Sequence, residues 1–149
     1  MSEVNRILVI DDDESIRDVL TTVLEREGYL VDQAENGNEA IRKSKIRFYN
    51  LAFIDIRLPD MEGTKLLTDL KETIPRMVKI ILTGYPSVQN AVEAVNKGAD
   101  GYLVKPINIE DLLKTVKRLL EKQQAEKKYS EERIAEFVES RAKELDDSE

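Results

Sequence analysis

The chain has 149 residues, enough for one domain with an appendage, and its net charge of −7 argues against direct binding of nucleic acid. It contains no cysteine and no histidine, which excludes disulfides, thiolate or imidazole catalysis and any metal held by those side chains. A bound metal would have to sit on oxygen, and with no signal peptide and no apolar run near the ~20 residues of a membrane span, a cytoplasmic location without membrane insertion is the expectation.

In chain order, Ile7–Ile10 reads as a short buried strand that ends abruptly in Asp11, Asp12 and Asp13. Ile16, Val19, Leu20, Val23 and Leu24 then recur with helical spacing, and Gly28 is a plausible stop. Tyr29–Ala34 reads as an edge strand, because Asp32 and Gln33 interrupt it. The turn "ENGNEA" leads into a helix near Glu39–Lys45. Asn50–Ile54 is a strand ending at Asp55, "RLPDMEG" a loop, and Thr64–Glu72 a helix. Val78–Leu82 is a strand ending at Thr83, and Ser87–Lys97 a helix closed by Gly98. Gly101–Val104 is a strand that runs into Lys105–Pro106, and a last helix starts near Ile109. After Leu120 the apolar stripe lapses through "EKQQAEKK". Ser130 with Glu131 and Glu132 looks like a fresh helix start, and Ile134, Phe137, Val138 and Leu145 form a short second stripe.

Strand and helix alternate five times, which implies a parallel sheet covered by helices on both faces. Ligands of such sheets bind outside the carboxyl ends of the strands. Asp11, Asp12 and Asp13, then Asp55, Thr83 and Lys105, all fall on that rim. Carboxylates repel one another and are costly to bury, so a divalent cation is the natural partner of the acidic group. Magnesium takes carboxylate, water and phosphate oxygens, and manganese is the alternative. An ammonium and a hydroxyl on the same rim suit a transferring phosphoryl group, for which a carboxylate is a competent nucleophile. Asp55, on a central strand, is the favoured acceptor.

The stretches "ILVIDDDESIRDVL", "AENGNEA", "LAFIDIRLPDMEG", "KIILTGYPS" and "GADGYLVKPIN" resemble the receiver domain of bacterial and archaeal two-component response regulators. The resemblance covers about residues 5–122 and implies a domain of residues 1–122, leaving 123–149 as a helical tail or linker with no recognisable output domain. It implies a flavodoxin-like, doubly wound five-stranded sheet of order 2-1-3-4-5. It implies Asp55 as the phosphoacceptor, supplied by the phosphohistidine of a sensor kinase or phosphotransfer protein in a phosphorelay. Asp11 and Asp12 would be the acidic pair, with Asp13 dispensable. Asp12 and Asp55 through their side chains, and Arg57 through its backbone carbonyl, would hold magnesium. Thr83 would bond the phosphoryl oxygen, Lys105 would pair with it, and Tyr102 would be the switch aromatic. Lys105–Pro106 would be a cis peptide. Arg57 and Tyr85 depart from a fixed pattern and flank the path of a hydrolytic water, so they bear on the lifetime of the phosphate. Asp60 and Gly63 read as plain turn residues.

The reading is therefore a signalling switch that assists its own phosphorylation and dephosphorylation, and not a metabolic enzyme. Two alternatives stand beside it. One is a haloacid-dehalogenase-like phosphatase with Asp11 as nucleophile, which lacks a final acidic metal motif and gives Asp55 no role. The other is an interaction module that is never phosphorylated. Val88, Val92, Val95, Tyr102, Ile107, Leu112 and Val116 cannot all face the core, and with the tail they suggest a homodimer that tightens on phosphorylation.

Overall fold

The structure is a computed structural model and describes residues 4–147. Five strands, β1 (Arg6–Ile10), β2 (Leu30–Ala34), β3 (Leu51–Asp55), β4 (Val78–Thr83) and β5 (Gly101–Val104), alternate with α1 (Glu14–Arg26), α2 (Gly37–Ile46), α3 (Gly63–Asp69), α4 (Val88–Asn96) and α5 (Ile109–Asp147). All strand pairs are parallel and the order is β2-β1-β3-β4-β5, as the sequence implies.

Alternation along the strands divides the core in two. Leu8, Ile10, Ala52, Ile54 and Ile81 meet Ala40 of α2, Leu66 and Leu67 of α3 and Ala94 of α4. Ile7, Val9, Phe53, Ile80 and Leu82 meet Leu20 and Leu24 of α1 and Leu112, Val116 and Leu119 of α5. Every residue of the central strands β3 and β4 is buried, which fits their mainly apolar sequence; the exception inside β4, Lys79, donates through Nζ to the Leu67 carbonyl at 2.7 Å. Phe53 has no exposed surface, and cutting it to alanine would cost about 3–5 kcal/mol.

Local chemistry sets the helix ends. Asp13 caps α1 by accepting the N–H groups of Ser15 and Ile16, Asn36 caps α2, and Ser87 caps α4. Gly28 and Gly98 adopt φ of +92° and +96° after α1 and α4, the left-handed conformation that favours glycine at a helix end. Lys105–Pro106 is cis, as expected, and so is Ile74–Pro75.

Two expectations are corrected. Val19 is 52% exposed, and the buried stripe of α1 instead takes in Arg17 beside Leu20 and Leu24. The tail holds no second helix start at Ser130, since α5 runs unbroken for 39 residues. Residues 121–147 contain no glycine or proline and are rich in strong helix formers, so propensity carries the helix where the apolar stripe lapses. Gln123 is the last buried residue among the described residues of α5. Its amide donates to the carbonyls of Asn50 and Arg76 at the amino ends of β3 and β4. Beyond it, Ile134, Phe137, Val138 and Leu145 are 59–67% exposed.

Candidate functional site

Strand register brings the polar rim together. Ile10 lies beside Ile54 and Thr83 beside Val104, so Asp11, Asp55, Thr83 and Lys105 emerge at one edge of the sheet. The three successive aspartates divide three tasks. Asp11 is fully buried, accepts the Asp13 N–H at 2.9 Å and pairs with Lys105 Nζ at 2.8 Å. Asp12 is exposed at the mouth, and Asp13 is the cap of α1. Asp55 is 7% exposed, accepts the Arg57 N–H at 3.3 Å and lies 3.6 Å from Lys105 Nζ.

Carboxylate oxygens of Asp11, Asp12 and Asp55 all lie within 4.8 Å of one another. Burial pushes the Asp55 carboxyl up to about 6, the Asp11 charge adds to this, and Lys105 and the Arg57 N–H only partly oppose them. Burial also works against the Lys105 charge, but the hydrogen bond and field of Asp11, with Asp55 behind, more than offset it and raise its pKa. Three carboxylates thus share one ammonium among the described residues. An oxygen-only, acid-rich cluster with an open mouth fits a hard divalent cation.

Thr83 is buried, and its Oγ accepts the Tyr85 N–H at 2.9 Å. Tyr102 packs against the core with its hydroxyl buried and unpartnered, an arrangement that costs about 1–3 kcal/mol. The Arg57 guanidinium stacks over the Tyr85 ring at 4.2 Å, joining the two departures noted in the sequence.

Three supporting residues escaped the sequence reading. Arg17 donates to the Asp11 carbonyl at 2.7 Å and to Gln33 at 3.2 Å, which fixes the backbone under the acidic group. Its signal was a cation at helical spacing from Leu20 and Leu24. Gly63 is more than a turn residue, because a Cβ there would lie 2.1 Å from the Asp55 carbonyl oxygen. Asp60 accepts two backbone N–H groups of α2, a contact with no local signature.

A doubly wound sheet with a carboxylate at the end of its central strand, ringed by two acids, a lysine and a threonine, defines an acidic phosphate-handling rim. Residues 7–117 match the response regulator receiver domain, and the chain belongs to that family of phosphoacceptor signalling domains. It is 34% identical over 127 residues to the regulatory protein AtoC of Escherichia coli K12, covering 85% of this chain and 28% of that protein. The matched stretch spans only about a quarter to a half of the length of the curated relatives. Among solved structures, a CheY-like receiver domain protein of Methanospirillum hungatei JF-1 is 46% identical with a TM-score of 0.79, covering 83% of this chain and 99% of that one. A response regulator of Burkholderia pseudomallei, solved with a phosphorylated aspartic acid, calcium ion and citrate, is 38% identical with a TM-score of 0.70, covering 82% and 72%. These likenesses do not favour the phosphatase alternative. Its proposed nucleophile, Asp11, is fully buried and engaged by Lys105. No helix among the described residues is long and apolar enough to cross a membrane.

Proposed function

We propose that Asp55 is the phosphoacceptor and that its donor is the phosphohistidine of a sensor kinase or phosphotransfer protein. The observation that carries this is Asp55 itself, a nearly buried carboxylate at the carboxyl end of β3 whose charge is disfavoured by burial and by Asp11, with Lys105 at 3.6 Å. Its free oxygen attacks phosphorus as the P–N bond to the donor imidazole breaks, and the electron pair leaves with the ring nitrogen. Lys105 and Thr83 stand where they would meet the phosphoryl oxygens. Asp11, Asp12, Asp55 and the Arg57 carbonyl would hold magnesium, or manganese, which supplies charge neutralisation for the anionic group. The domain so built assists its own phosphorylation and hydrolysis and has no substrate to turn over.

The donor would approach beside the site, where Ile16, Val19, Leu20, Pro106, Ile107 and Ile109 line an apolar depression of about 320 Å³ that reaches Lys105. The chain acts in the cytoplasm, and its net charge of −7 leaves nucleic acid to other partners.

The switch runs through Thr83 and Tyr102. The Thr83 hydroxyl, whose oxygen accepts the Tyr85 N–H, would donate its own proton to a phosphoryl oxygen, and Tyr102 packs next to β4 in the register that pairs it with Ile81. The new charge thereby biases the face made by α4, β5 and α5. Val88, Val92 and Val95 lie exposed on that face at 52–82%, and with the tail they form the surface on which two chains associate after phosphorylation.

Intact-mass measurement after incubation with acetyl phosphate tests the acceptor. The wild type gains one phosphoryl mass with magnesium and none with a chelator, whereas Asp55→Asn gains none. Undiminished labelling of Asp55→Asn rejects the assignment.

A further inference from the structure

The loop between β3 and α3 carries Arg57, whose N–H already holds Asp55. It is fastened at both ends. Towards the site, the Gly63 N–H donates to the Ile56 carbonyl at 2.7 Å and the Leu58 N–H to the Met61 carbonyl at 3.1 Å, so the loop folds back under Asp55. At its far end, the two carboxylate oxygens of Asp60 accept the N–H groups of Gly37 and Asn38, each at 2.9 Å. Those are the first two residues of α2, where free N–H groups and the helix dipole favour an anion. Met61 adds a second fastening, since a Cβ on Gly37 would lie 2.3 Å from its Sδ.

Asp60 is exposed, so it contributes nothing to the core. Nor does α2 depend on it for a cap, because Asn36 Oδ1 already accepts the Glu39 N–H at 2.8 Å. What Asp60 does is hydrogen-bond across two segments more than twenty residues apart, where Met61 only packs. Desolvation opposes its charge, yet the Gly37 and Asn38 N–H groups outweigh that and hold the carboxyl below its usual range.

We propose that Asp60 is a positioning residue for the metal site: by tying the β3–α3 loop to the first turn of α2, it holds the Arg57 backbone in place against Asp55. The proposal rests on the magnesium reading given above. Loss of Asp60 leaves every carboxylate of the cluster intact but lets the loop swing. Gly37→Ala disturbs the same junction from the other side by displacing Met61.

Calorimetric titration of the full, unphosphorylated chain with magnesium tests this on the wild type and on Asp60→Ala, Asp60→Asn, Asn36→Ala and Asp12→Ala. Asp60→Ala is expected to weaken affinity about tenfold, the scale on which groups that orient metal ligands act. Asp60→Asn, which keeps one acceptor oxygen, should fall between it and the wild type. Asn36→Ala removes a cap from the same helix without touching the loop, and should bind as the wild type does. Amide exchange at Leu58 and Gly63 without metal should speed up in Asp60→Ala alone. Wild-type affinity in Asp60→Ala, or equal weakening by Asn36→Ala, overturns the proposal. If Asp12→Ala loses binding while Asp60→Ala keeps it, the metal site stands and the anchoring role fails. If Asp12→Ala also binds normally, the metal reading itself is wrong.

Discussion

Replacing Asp55 with asparagine keeps the shape of the side chain and removes its charge, so it isolates the cost of burying that charge beside Asp11. In the folded protein Asp55 holds its proton up to about pH 6, against 3.8 for the unperturbed group. Between those values the folded state binds more protons than the unfolded chain, so this group's contribution to stability is fully present below pH 3.8 and is lost as pH rises through 6. A shift of about two units at 1.36 kcal/mol each puts the loss at about 3 kcal/mol above the window. Asparagine does not titrate and escapes it. In chelator at pH 8, Asp55→Asn should therefore exceed the wild type in stability by about 2–3 kcal/mol, and near pH 4 the two should converge. Magnesium should close the gap at pH 8 from the other side, because binding at 100 times Kd adds about 2.7 kcal/mol to the form that binds it. Urea unfolding followed by circular dichroism, at both pH values with and without magnesium, reads all of this. A variant no more stable than the wild type at pH 8 in chelator would show that the rim imposes no such cost on the Asp55 charge.

Lys105→Ala strips the fully buried Asp11 of its only ion-pair partner among the described residues and should destabilise the metal-free protein by about 3 kcal/mol, measured by the same unfolding curves. Once phosphorylated, that variant should also fail to show the spectral change in α4 and α5 seen in the wild type. Tyr85→Ala removes the ring beneath the Arg57 guanidinium and opens the approach to Asp55, so the phosphorylated form should decay severalfold faster in a mass-spectrometric time course. For association, sedimentation with beryllofluoride should show a dimer for the full chain and a monomer for a chain ending at Ala125, which retains the Gln123 clamp. A monomer throughout would remove the tail from the interface.

The strand ends were the legible part of this sequence. Each buried strand stops at a residue whose chemistry is out of place in a core, and the parallel topology then dictates that Asp11, Asp55, Thr83 and Lys105 share one edge. Helix starts were legible only approximately: Ser87 caps the helix expected from residue 87, while α2 begins at Gly37, ahead of the start expected near Glu39. What could not be read depends on contacts across the chain. Arg17 looks like one more charge on an amphipathic helix until its guanidinium reaches the Asp11 carbonyl. Asp60 and Gly63 look like turn residues because their partners, α2 and the Asp55 backbone, are distant in sequence or specific to the folded loop. The unbroken α5 was missed for another reason. A lapse in apolar periodicity says where a helix stops burying side chains in the domain, and that place, Gln123, differs from where the helix ends.

Position-specific trapping of the acyl phosphate tests the central claim most directly. The chain is phosphorylated by acetyl phosphate in magnesium, reduced with borohydride to convert a phosphoaspartate to homoserine, and mapped by peptide sequencing. Homoserine at position 55 and nowhere else is the expected result. Homoserine at position 11, or an unmodified chain under conditions where magnesium is bound, would contradict the assignment of Asp55 as the acceptor.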